Sequence, residues 1–108
     1  MRKLAAGAFL IAAMSPALAD PPGLKLTYGQ VVTDPTGAFV SVQVANTGTI
    51  TLSQIVVTCN FFAKKKNVGS SYTTLFSSFP GITGQDQVRL MGATSATTAT
   101  CAITTPAS

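Results

Sequence analysis

The stretch AFVSVQVANTG, Ala38 to Gly48, decides the fold. Val40, Val42 and Val44 alternate with Ser41 and Gln43, and side chains in a strand point to opposite faces in turn. One face of this segment is apolar and the other polar, the mark of a half-buried strand. It is bounded by turn signals. On its N-terminal side lies DPTG, Asp34 to Gly37, with Asp first, Pro second and Gly last. On its C-terminal side NTGT, Asn46 to Thr49, turns the chain again.

The same period of two recurs in both directions. Upstream, in LKLTYGQVV, Leu24, Leu26 and Tyr28 alternate with Lys25 and Thr27. Downstream, in QIVVTCNFF, Ile55, Val57, Cys59 and Phe61 share one face, and Val56, Thr58, Asn60 and Phe62 share the other. AKKKNVG reads as a hairpin connection with a polar tip. Val68 to Phe79 predicts one strand and a bend, stopped by Pro80-Gly81. A short strand around Val88 to Met91 and a final one from Thr97 to Ile103 complete the pattern. No apolar period of 3.6 residues persists for three turns, so no helix is expected after the N-terminal leader. Short strands about ten residues apart, punctuated by Pro and Gly, predict an all-β domain. The expected architecture is a single small antiparallel immunoglobulin-like β-sandwich of about seven strands. A small closed barrel is the alternative that the same alternation would serve.

The N-terminus, MRKLAAGAFLIAAMSPALAD, has the layout of a secretory signal peptide. Arg2 and Lys3 precede an uncharged run from Leu4 to Met14, and Ala17-Leu18-Ala19 supplies small residues at the positions a signal peptidase reads. The apolar run is too short to span a bilayer, which needs about 20 residues. Cleavage is expected after Ala19, leaving Asp20 as the mature N-terminus, so residues 1–19 are leader and 20–108 the sandwich with a frayed tail. The short basic start and alanine-rich run are bacterial in style. The expected destination is the periplasm or the medium.

Of the seven basic residues, Arg2 and Lys3 leave with the leader, so five face three aspartates in the mature chain. Thr, Ser, Ala, Gly and Val dominate, as suits a β-rich extracellular domain better than a helical bundle. No second long apolar run follows, so the mature part is expected to have no membrane span.

The order VSVQVANTGT, LSQIVVTCNFF, a turn, VGSSYTTL, FPG and TATCAI resembles the small bacterial envelope domains of the FxLYD type. The likeness covers about residues 38 to 103 and rests on strand patterning with Asn46, Pro80 and Gly81. It implies an immunoglobulin-like sandwich and no enzymatic activity.

Cys59 and Cys101 are the two cysteines of the chain. In an exported protein an even pair is expected to form a disulfide. Each shares a strand face with apolar neighbours, which places both in the core. Their bond would close a loop for which chain entropy gives about 4 kcal/mol. A redox-active thiol would instead call for exposure, a nearby cation or a C-x-x-C spacing, none of which the pattern offers.

Lys64, Lys65 and Lys66 form the one charge cluster and the candidate binding patch, suited to phosphate or an anionic envelope polymer. The blander reading is a solvated hairpin tip that discourages edge pairing. Nucleic acid is disfavoured, because it calls for a wider basic surface with stacking aromatics. The chain has no His, no Glu and no Trp, and its carboxylates are Asp20, Asp34 and Asp86. A Ser-His-Asp arrangement is impossible without histidine. No zinc ligand set, clustered calcium loop or G-x-x-x-x-G-K phosphate loop occurs. No cofactor is expected, and an enzyme is disfavoured.

The sequence therefore predicts an exported, non-enzymatic binding module working through strand edges and loops, with Phe62 and Tyr72 as candidate contacts. Two alternatives stand beside it. One is a secreted inhibitor or chaperone-like factor acting through a loop such as Ala63 to Gly69 or Gly81 to Gln87. The other is a structural subunit assembling by strand addition.

Overall fold

The structure, a computed structural model, describes residues 15–16 and 20–106. The described residues form eight strands and no helix. They are β1 (Ser15–Pro16), β2 (Leu24–Tyr28), β3 (Val32–Asp34), β4 (Gly37–Asn46), β5 (Leu52–Ala63), β6 (Lys66–Ser78), β7 (Thr83–Met91) and β8 (Thr98–Thr105). Every pairing is antiparallel.

Two sheets face each other. In the first, β4 is central, with β7 along one edge and β2 and β3 sharing the other. β1 adds a two-residue pairing outside β2. The second sheet runs β6–β5–β8. The result is an antiparallel sandwich of the immunoglobulin-like kind, and the barrel alternative falls because the sheets do not close on one another among the described residues.

The period of two explains which faces meet. Val40, Val42 and Val44 of β4 are buried, as are Ile55, Val57, Cys59 and Phe61 of β5. Leu24 and Leu26 from β2, Val88 from β7, and Cys101 and Ile103 from β8 complete the layer between the sheets. Each fully buried Val, Ile, Leu or Phe contributes about 1.5–3 kcal/mol of transfer free energy. Chain entropy opposes most of that gain.

Turn chemistry fixes the registers. Asp34 Oδ1 accepts hydrogen bonds from the Thr36 N–H (2.8 Å), the Gly37 N–H (3.1 Å) and the Thr36 hydroxyl (2.6 Å), closing the β3–β4 hairpin. A Cβ on Gly37 would stand 2.3 Å from the Leu90 carbonyl oxygen, so only glycine lets β7 approach there. Lys64 and Lys65, both at positive φ (51° and 71°), form the two-residue β5–β6 turn flanked by the Ala63–Lys66 pair.

Several boundaries differ from the sequence reading. LKLTYGQVV does not form one strand: pairing with β4 stops at Tyr28 and resumes at Val32. β6 runs from Lys66, and β7 starts at Thr83, well before Val88. In β7 the early residues are exposed at a sheet edge, so no apolar alternation marks them, and their pairing with β4 is carried by the main chain.

Candidate functional site

β4 ends in Asn46, a residue whose alternation places it inward and whose side chain is polar. It is 3% exposed and its polar groups are all engaged. The Nδ2 group donates to the carbonyls of Ile50 and Ser78, each at 3.0 Å, and Oδ1 accepts from the Gly48 N–H at 3.0 Å. Its main-chain N–H donates to the Ile82 carbonyl (3.1 Å) and its carbonyl accepts from the Gly81 N–H (2.7 Å). One buried residue thus ties the β4–β5 loop to the β6–β7 loop. A buried amide with satisfied donors and acceptors is a rigid anchor, because every alternative leaves an unpaired group.

A third segment joins them. The Thr47 N–H donates to the Gly23 carbonyl at 2.9 Å. Gly23, at φ +79°, lies so close to Gly48 that a Cβ on it would meet the Gly48 Cα at 3.3 Å. The neighbouring cavity, of about 270 Å³, is lined by Pro21, Pro22, Ile50, Leu52 and Pro106 besides these glycines and Asn46.

The fixed loops carry large apolar side chains outward. Ile50 is 65% exposed, Phe79 53% and Ile82 55%. Each lies on, or next to, a peptide carbonyl bonded directly to Asn46. Phe76, 71% exposed, follows on the outer face of β6. No feature of the primary pattern singled out Ile50 or Phe79, while Ile82 falls in the Gly81–Gln87 loop expected as a contact. The available signal was Asn46 itself, a polar residue at the inward position of an otherwise apolar strand face.

The residues expected from sequence are distributed elsewhere. Cys59 and Cys101 are disulfide-bonded and buried, directly opposite each other on β5 and β8. The bond therefore staples neighbours in one sheet. Lys64, Lys65 and Lys66 sit together and exposed at the β5–β6 turn. That turn lies at the other end of β5 from the Asn46 loops, roughly 36 Å away at 3.3 Å per residue. Phe62 is half-buried and Tyr72 is exposed on the outer face of its sheet. In the Gly81–Gln87 segment only Gly81 and Ile82 are loop, since β7 begins at Thr83. Asp20 accepts the Leu26 N–H through Oδ2 at 3.0 Å, while Ala19 lies outside the described residues.

The remaining carboxylates serve the frame. Asp34 pairs with Arg89 across β4 (3.1 Å), and the guanidinium stands 4.9 Å over the Phe39 ring. The Thr36 hydrogen bonds, with help from Arg89, hold the Asp34 carboxyl well below its ordinary value, at about 2. Asp86 accepts from the Thr73 hydroxyl and the Gln87 N–H. Among the described residues no three His, Cys, Asp or Glu side chains converge in a metal-binding group. No helix among them is long and apolar enough to cross a membrane. The chain matches no protein-family model, no curated protein and no solved structure.

Proposed function

We propose that this chain is an exported, non-enzymatic immunoglobulin-like binding module that holds a protein partner of the cell envelope at the loop pole built on Asn46. The observation that carries the reading is the exposure of Ile50, Phe79 and Ile82 on loops pinned by one buried amide. Exposed apolar clusters of this kind mark contact surfaces, and loops on a rigid sandwich are where such domains present them. Fixing the loops before encounter lowers the ordering cost of binding. The buried disulfide supports export, because such bonds persist in oxidising compartments.

The mature protein, immobilised and exposed to envelope extract, provides the test. The double variant Phe79→Ser/Ile82→Ser is expected to lose the captured partner while melting at the wild-type temperature. The variant with all three of Lys64, Lys65 and Lys66 changed to Ala is expected to retain it. The opposite outcome, with capture and heparin retention both lost in the lysine variant alone, transfers the function to the hairpin tip and an anionic polymer.

A further inference from the structure

We propose that the outer face of the β6–β5–β8 sheet is a second binding site, a trough that holds a neutral glycan between Tyr28 and Tyr72. Its deepest part is a cavity of about 280 Å³, room for one sugar ring. The lining includes Tyr28, Thr58, Asn60, Thr100, Ala102 and Thr104.

The three strands set these groups side by side. Ala102, Thr58 and Tyr72 are directly opposed across β8, β5 and β6 and form one row. Thr100, Asn60 and Ser70 form the next. Thr58 and Asn60 alternate with the buried Val57, Cys59 and Phe61, so both rows lie on the outer face. Beyond Ala102 the β5–β8 pairing slips between Val56 and Val57, and the bulge leaves Thr104 without an opposed residue. The Thr104 hydroxyl turns over β5, 2.9 Å from the Thr58 hydroxyl and 3.4 Å from the Val56 carbonyl. A bulge re-aims a side chain in this way, often beside a functional site. Tyr28 closes the β8 end, half-buried against the core, so its ring is held before any ligand arrives. Tyr72, 66% exposed, stands at the other end, two strand spacings or about 10 Å from Ala102.

A neutral sugar calls for these groups. Its C–H face packs on an aromatic ring, and its hydroxyls lie at the edge. Thr and Ser hydroxyls and the Asn amide both donate and accept, as sugar hydroxyls do. Asn60, Ser70 and Thr100 are exposed and present such groups to solvent. Charge separates a glycan from its competitors. β5 and β8 contain no charged residue, and β6 has only Lys66, at its turn end. Nucleic acid and anionic polymers take their affinity from Lys and Arg, which the trough lacks. A protein partner would call for an apolar centre, whereas the floor here is hydroxyl, amide and methyl. The trough is built from mid-strand positions and the Asn46 pole from loops, so the two contacts are independent.

The test titrates the isotope-labelled mature protein with neutral hexaoses of glucose, mannose, galactose and N-acetylglucosamine, each to about 10 mM, followed by amide NMR. With at least one of them, saturable shifts are expected at the amides of Thr58 to Asn60 and Thr100 to Ala102. The affinity should hold between about 0.05 and about 0.5 M salt, because no ion pair is screened. Tyr72→Ser and Asn60→Ala/Thr100→Ala change exposed side chains and should each raise the dissociation constant at least about fivefold. Tyr72→Phe keeps the ring and should bind within about twofold of wild type. Phe79→Ser should leave binding unchanged. No saturable shift with any of the four sugars overturns the proposal, as do shifts confined to the lysine turn or the Asn46 loops. So does wild-type affinity in folded Tyr72→Ser, or a loss in Tyr72→Phe as large as in Tyr72→Ser.

Discussion

Two single residues hold more of this structure than their size suggests. Asn46 satisfies carbonyls from two separate loops with one amide group. Asn46→Ala removes the donors and leaves those acceptors, together with the Gly48 N–H, short of partners at a closely packed end of the sandwich. The expected loss is about 2–3 kcal/mol in denaturant unfolding, since a buried polar group left unpaired costs about 1–3 kcal/mol. Asn46→Asp should not rescue it, because a carboxylate cannot donate to the two carbonyls. Asp34 acts on the pH axis. Its carboxyl is held at about 2 in the folded chain, chiefly by the Thr36 hydroxyl and N–H and then by Arg89. In the unfolded chain it titrates near the ordinary aspartate value of about 3.9. The folded state thus favours the ionised form. Its stabilising contribution is complete above about pH 4 and disappears as pH falls toward 2. Thermal melts of Asp34→Asn and wild type should converge across that interval.

At the scale of elements, the β5–β8 pair is the joint on which the second sheet depends. Its partners are far apart in sequence, the bonded cysteines lying 42 positions apart. Closing a loop of this length in the denatured chain corresponds to about 4 kcal/mol in the chain-entropy account. A domain of this size has only about 5–10 kcal/mol in total. Reduction, or Cys59→Ala with Cys101→Ala, should therefore lower the denaturant midpoint sharply and raise the slope, because the denatured chain without its cross-link exposes more surface. Circular dichroism with and without a phosphine reductant measures it. β5 and β8 were legible as strands because each carries an uninterrupted inward row, Ile55 to Phe61 and Ala99 to Ile103. β7 was legible only from Val88 onward. Its first residues are exposed, and a strand held at an edge by its main chain leaves no apolar period to read.

At the scale of the whole molecule, the sandwich separates two ends of different chemistry. The β5–β6 turn presents three lysines, and the opposite end presents Ile50, Phe79 and Ile82 around Asn46. The sequence by itself determined the all-β class, the inward faces of β2, β4 and β5, the DPTG hairpin and the position of the lysine tip. These depend on alternation and turn chemistry, which are local and survive in a linear string. It also pointed to the two cysteines as each other's partners, because parity and a shared inward orientation leave them one partner each. Only the tertiary structure decided that the disulfide joins neighbours within one sheet and that the β4–β5 and β6–β7 loops converge on Asn46. Those outcomes depend on which strands lie side by side. Strand order is a property of the packed sheets, set by how the apolar faces are buried together, and no local period encodes it.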